Sequence, residues 1–180
     1  MMHQWWTWPN LLTAARLGLV APLLYCILHS LWPWAWLLFV VAVITDVWDG
    51  KLARRLSQSS PLGGLFDHST DAVLVSFSCG ALAIQGLFNP WLAALILLAF
   101  LQYMLDSSAL SGVALRTSRL GRLNGVAYYV LVGVALFALW QDIAWLQQPI
   151  VGLAWLLVMS TLLSMLDRLL TLLRRRRPTV

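Results

Sequence analysis

The chain has 180 residues, 61% of them hydrophobic and only 11% charged, with a formal net charge of +5. Soluble domains run nearer half apolar and a quarter charged, so the composition excludes an ordinary soluble enzyme and points to an integral membrane protein. At roughly 20 residues per span, the length leaves room for about six spans joined by short loops. Residues 1–180 are therefore expected to form one membrane domain with no soluble domain attached.

Apolar runs at 11–29, 33–44, 65–84, 90–105, 123–140 and 150–173 predict six helices. The second and third extend at their inner ends through an Asp-containing stretch. Turn-forming residues punctuate the breaks at 29–33, 57–61, 86–90, 107–121 and 141–149. Cys26 and Cys79 fall inside apolar runs and read as small buried hydrophobes. No cleavable signal peptide is evident, since a basic leading segment and a small-residue cleavage site are both missing. No internal repeat is visible.

The basic residues set an expected topology. Lys51, Arg54 and Arg55 flank the break between the second and third helices, and Arg116, Arg119 and Arg122 occupy the break between the fourth and fifth. Arg168 and Arg174 to Arg177 end the chain, and Arg16 lies early in the first helix. The other three connections hold no Lys or Arg, so the positive-inside rule places both termini and both basic loops in the cytoplasm. Trp32, Trp34, Trp36, Trp91, Trp140 and Trp145 gather at the opposite helix ends, as an interfacial belt does. The terminal arginines read as an anchor that touches anionic lipid rather than nucleic acid.

All seven acidic residues are Asp, and four of them lie within residues 46–71. Asp46 and Asp49 are spaced i, i+3, and Asp67 and Asp71 are spaced i, i+4, so each pair shares a helix face. The chain reverses around residues 57–60, which sets Asp49 level with Asp67 and Asp46 level with Asp71 in an antiparallel pair. From the helical rise, the carboxylates converge roughly 14–20 Å along the helices from the turn. Four like charges in a low-dielectric place need positive charge among them. Lys51, Arg54 and Arg55, the nearest cations in sequence, are too few and face several directions. Divalent ions with oxygen ligands answer the problem better, and two such ions can share bridging carboxylates. Gly50, Ala53, Gly63 and Gly64 leave room beside the acids for a ligand.

The stretch reads D-x2-D-G-x2-A-R-x8-G-x3-D-x3-D without a gap, through Asp46, Asp49, Gly50, Ala53, Arg54, Gly63, Asp67 and Asp71. It resembles the signature of the CDP-alcohol phosphotransferase family of membrane enzymes. Ahead of it, "NLLTAARLGLVAP" carries Asn10, Thr13, Arg16 and Pro22 in a pattern similar to the one that often precedes the signature. The signature covers 26 residues, and the six-helix plan extends the likeness over most of the chain. The resemblance implies an all-α protein of six transmembrane helices with a polar active site on the cytosolic side. It implies transfer of a substituted phosphoryl group from a CDP-linked donor to an alcohol, with release of CMP. In the lipid-forming branch the donor is CDP-diacylglycerol.

By the same resemblance, Asp46, Asp49, Asp67 and Asp71 hold Mg²⁺ or Mn²⁺, expected as two ions, and Asp71 is the general base on the acceptor hydroxyl. The CDP moiety is expected against Asp46, Asp49, Gly50, Ala53, Arg54, Gly63 and Asp67, with Asn10 and Thr13 alongside. A homodimer in a membrane, for which a bacterial inner membrane is the best guess, is also implied.

On the acceptor side, Arg116, Arg119 and Arg122 are candidates to clamp a phosphate, because guanidinium binds phosphate with paired donors; the competing reading is that they only set topology. Asn124 and Tyr128 are weaker candidates for polar contacts, Asp106 reads as structural, and His68 as a partner supporting the metal-binding acids. Phosphatidylglycerophosphate synthases often continue the third Asp as D-P-x-A-D-K, where this chain reads "DHSTDA", and the R-E pair associated with the fourth helix of that subgroup is not obvious. Glycerol 3-phosphate leads as acceptor by family frequency. Inositol phosphate, inositol, serine and a lipid hydroxyl stay open. Two readings from other classes are an ion or proton transporter, disfavoured by the absence of a repeat, and a catalytically idle relative, disfavoured by the intact signature.

Overall fold

The structure, a computed structural model, describes residues 8–55, 61–106 and 119–175. Among them the chain forms six α-helices: α1 (Trp8–Leu28), α2 (Trp32–Arg55), α3 (Pro61–Ile84), α4 (Pro90–Asp106), α5 (Arg119–Trp140) and α6 (Ala144–Arg175). The element order is the expected one. The expected reversal at 57–60 lies outside the described residues. Several helices start earlier than their apolar runs, α6 the most, by six residues. Pro149 does not end α6 on its N-terminal side: it is the sixth residue of the helix, past the first turn, where it removes one backbone donor without ending the helix.

Three tight turns join α1 to α2, α3 to α4 and α5 to α6. Each preceding helix ends with a residue in the left-handed region: Ser30 (φ 56°), Gly86 (φ 80°) and Asp142 (φ 51°). The next N–H then bonds five residues back, Leu31 to the Cys26 carbonyl at 2.8 Å, Leu87 to Leu82 at 3.0 Å and Ile143 to Ala138 at 2.9 Å. This arrangement satisfies the last carbonyls of a helix while reversing the chain.

The helices pack in a ring, α1 to α2 to α5 to α6 to α4 to α3 and back to α1, with α3 also touching α5 across the middle. Close approach of α2 and α5 is allowed at Gly133, where a Cβ would lie 3.1 Å from the Phe39 ring. Polarity is inside-out. Thr13, Arg16, Thr70, Ser76, Ser78, Asn124 and Thr161 are buried, while Ile84, Leu105, Trp145 and Leu156 are each more than 65% exposed on the outer surface. Such an apolar exterior suits lipid, and the polar groups inside join helices. Ser76 donates to the Ala93 carbonyl at 2.7 Å, and Gln102 donates to the Met165 carbonyl at 3.0 Å. Cys26 and Cys79 are buried free thiols.

By length and composition, three helices are apolar enough to cross a membrane among the described residues: Asn10–Leu28, Arg119–Trp140 and Ala144–Thr171. The others fall short for a physical reason. The apolar part of α2 stops at Trp48 before a charged end, and α4 has 17 residues, about 26 Å at 1.5 Å per residue. The first half of α3 carries Asp67, His68 and Asp71.

Candidate active site

Asp46 sits on α2, and Asp67 and Asp71 sit one turn apart on α3. The ring of helices brings all three against α1, where Arg16 is wholly buried. One guanidinium nitrogen of Arg16, Nη1, lies 2.7 Å from Asp46 Oδ1, 3.1 Å from Asp67 Oδ1 and 2.5 Å from Asp71 Oδ1. Two helices thus converge their carboxylates on a single cation from a third. The sequence suggested Lys51, Arg54 and Arg55 as the nearest positive charges, but those side chains lie outside the described residues. Arg16, 30 positions before Asp46, is the cation the fold delivers. Its signal was a lone arginine in an apolar helix, the kind of residue that is costly to bury without partners.

From α5, Tyr129 donates its hydroxyl to Asp71 Oδ1 at 2.7 Å. Sequence reasoning passed over this residue in favour of its neighbour. Tyr128 turns the other way, toward α6, with its hydroxyl 2.5 Å from Thr161 Oγ1. Thr161 gives its own hydrogen to the Leu157 carbonyl at 2.6 Å, so Tyr128 is the donor. Asn124 accepts from Ser160 Oγ at 2.7 Å. Tyr128 and Asn124 therefore stitch α5 to α6, and both also line the cavity that opens beside the acids.

Three carboxylates against one guanidinium leave a formal charge of −2, a surplus that a divalent ion would balance. Asp67, His68 and Asp71 each offer a ligand atom, and these atoms lie within 4.8 Å of one another. His68, expected as a supporting partner, is thus close enough to ligate. Its ring also stands edge-on to Tyr103, with centroids 6.0 Å apart.

A cavity of about 360 Å³ opens beside the acids between α3, α4, α5 and α6, a volume in the range of small-molecule sites. Its walls carry opposite charges: Asp46 and Asp71 contribute carboxylates, and Arg122 and Arg168 contribute guanidiniums. Arg168 lies over the Tyr103 ring, 4.8 Å from its centroid. The sequence offered Arg168 only as a topology marker. Of the three arginines singled out for the acceptor, Arg122 lines this cavity, Arg119 is exposed at the start of α5, and Arg116 lies outside the described residues.

The remaining candidates are placed as follows. Asn10 and Thr13 lie about two turns and one turn before Arg16 on α1, with Thr13 buried. Gly63 and Gly64 open α3, and a Cβ at Gly64 would meet nothing within 4 Å, so space beside it is open. Asp49, Gly50, Ala53 and Arg54 are on the last turns of α2, and Asp106 ends α4; their side chains are outside the described residues.

Similarity to known proteins agrees with this arrangement. The sequence profile of the CDP-alcohol phosphatidyltransferase family matches residues 6–166. A protein of Salmonella choleraesuis named CDP-diacylglycerol–glycerol-3-phosphate 3-phosphatidyltransferase is 30% identical over 177 residues, covering 89% of this chain and 92% of its own length. A protein of the same name from Escherichia coli is 29% identical over 175 residues, with the same coverage. Another, from Cereibacter sphaeroides, is 37% identical over 94 residues, covering 48% of this chain and 41% of its own. No solved structure matches the chain. With a profile match over most of its length and relatives alike end to end, this chain belongs to the CDP-alcohol phosphatidyltransferase family.

Proposed function

We propose that the protein transfers a phosphatidyl group from CDP-diacylglycerol to the hydroxyl of glycerol 3-phosphate, releasing CMP. The observation that carries the acceptor is that one cavity is lined by both acids and arginines, Asp46 and Asp71 together with Arg122 and Arg168. A small molecule with a hydroxyl at one end and a phosphate at the other satisfies both. The relatives quoted above are named for this acceptor.

The donor set fits a divalent cation: carboxylate oxygens converge, their negative charge exceeds that of the resident guanidinium, and hard oxygen ligands match Mg²⁺ or Mn²⁺. Asp46, Asp67 and Asp71, with Asp49 completing the signature, would hold two such ions. When bound, they supply Lewis-acid stabilisation of charge on the diphosphate and on departing CMP.

The chain's own groups then have separable tasks. Arg122 and Arg168 hold the acceptor phosphate with paired, charge-assisted hydrogen bonds, and so aim the hydroxyl at Asp71. Asp71 takes the hydroxyl proton on Oδ2 as the oxygen attacks. Its Oδ1 is meanwhile held by the Tyr129 hydroxyl. The new bond joins the acceptor oxygen to the phosphatidyl phosphorus. The bond to the CMP oxygen breaks, and CMP leaves with the electron pair. Gly50, Ala53, Gly63, Arg54, Asn10 and Thr13 form the donor's bed near the open space at Gly64.

All six helices span the bilayer in this reading, with the short α4 accommodated by local thinning. The acids face the cytoplasm with both termini, in line with the basic loops. The assembly is a homodimer, on the family resemblance. The test is CMP release by the purified protein with CDP-diacylglycerol, Mg²⁺ and one acceptor at a time: glycerol 3-phosphate, inositol phosphate, inositol or serine. Release with glycerol 3-phosphate alone is expected. Release with another acceptor but not with glycerol 3-phosphate would overturn the assignment.

A further inference from the structure

Arg16 Nη1 has three carboxylate oxygens around it, from Asp46, Asp67 and Asp71, at 2.7, 3.1 and 2.5 Å. Several carboxylate oxygens about one point is also how a divalent cation is held. We propose that Arg16 is the resident counter-cation of the acid cluster, and that a divalent ion binds there only by displacing Nη1 from these oxygens. The inference rests on the metal reading given above and deepens it.

Competition follows from distances and charge. Mg²⁺ sits about 2.0–2.1 Å from its ligand oxygens, so an ion shared by the three Oδ1 atoms would occupy nearly the same point as Nη1. Two cations cannot share it. Proton loss offers Arg16 no way out, because a guanidinium stays charged in proteins. It has to move. Without an ion the cluster needs the guanidinium, because partly buried carboxylates this close repel one another without a cation between them. Arg16 and the ion therefore perform one electrostatic task in alternation. Once displaced, the guanidinium is suited to pair with the donor's diphosphate, which orders the events: ion first, CDP-linked donor second.

Mn²⁺ binding to the full-length protein in detergent, without substrate, separates the possibilities. The readout is the electron paramagnetic resonance signal of free Mn²⁺, with Asp67→Asn as the blank. Arg16→Gln is expected to bind Mn²⁺ at least tenfold more tightly than wild type. Mn²⁺ is also expected to raise its thermal midpoint more than that of wild type, as the ion takes over the missing charge. Equal or weaker binding by Arg16→Gln would overturn the proposal, because Arg16 would then support the ion site rather than fill it. If Arg16→Gln does not fold, Arg16→Lys carries the test: its shorter side chain and lost fork are expected to tighten binding severalfold, and unchanged or weaker binding overturns the proposal. Absence of Mn²⁺ binding in wild type and variant alike would remove the metal reading and the displacement together. Binding that is present but not tightened would remove the displacement alone.

Discussion

Tyr129 on α5 donates its hydroxyl to Asp71 Oδ1 on α3 across 2.7 Å, where these two helices meet through the middle of the ring. The same oxygen accepts from Arg16, so two donors from two helices fix one side of this carboxylate. A hydrogen bond to a charged group contributes about 1.5–3 kcal/mol. Tyr129→Phe keeps the ring against Phe39 and removes only the donor. We expect kcat to fall roughly 10- to 100-fold, the kinetic equivalent of that energy, with the KM for CDP-diacylglycerol within about twofold of wild type. A normal kcat would show that the hydroxyl does not position the base.

The adjacent Tyr128 gives the opposite expectation. Its hydroxyl bonds to Thr161 between α5 and α6, and Thr161 retains its bond to Leu157 when that partner is lost. Interhelical bonds of this kind contribute about 0.6 kcal/mol in membranes. Tyr128 lines the cavity, but its hydroxyl is committed to Thr161, so Tyr128→Phe should lower the thermal midpoint slightly and leave kcat near that of wild type. A large loss of kcat would show that Tyr128 takes part in the reaction.

Arg168 is held over Tyr103 at the cavity wall. Arg168→Met should raise the KM for glycerol 3-phosphate at least tenfold, in keeping with about 1.5–3 kcal/mol for charged hydrogen bonds, while sparing the KM for CDP-diacylglycerol. Tyr103→Leu removes the stacking, about 0.5–2 kcal/mol, and should shift the same constant in the same direction by less. Steady-state kinetics with each substrate varied in turn checks both. An unchanged acceptor KM in Arg168→Met would mean that the phosphate binds elsewhere.

At Gly133, a Cβ would already press on Phe39 at 3.1 Å. Gly133→Leu is therefore expected to wedge α2 from α5 and cost about 1–3 kcal/mol, read as a lower thermal midpoint in detergent. Gly152→Leu is the matched control, because a Cβ there meets nothing within 4 Å. Equal effects at the two positions would show that α2 and α5 do not pack closely at Gly133.

The acids were legible because their chemistry is written in local spacing. A step of four residues sets Asp67 and Asp71 on a common face without any knowledge of packing; the Asp49 side chain and the turn at 57–60 lie outside the described residues. Arg16 could be seen as a signature companion but not as the centre of the cluster, because that depends on how α1 lies against α2 and α3. Tyr128 and Tyr129 are neighbours on an apolar helix, and only the rotation of α5 decides which one faces Asp71. Arg168 looked like one more positive charge near a basic tail; packing of α6 against α4 turns it into a cavity wall. Pro149 suggested a helix boundary, but α6 runs through it with the loss of one backbone donor. The count of spans was less legible still, because α2, α3 and α4 give up apolar length to the site they build.

The most direct test of the central claim is to identify the lipid product by mass spectrometry. Wild type and Asp71→Asn would be given CDP-diacylglycerol, glycerol 3-phosphate and Mg²⁺ in lipid vesicles, with CMP measured in parallel. The account predicts phosphatidylglycerophosphate and CMP in equal amounts from wild type, and neither from Asp71→Asn although that variant still binds CDP-diacylglycerol. CMP without that lipid, or near-normal product from Asp71→Asn, would contradict it.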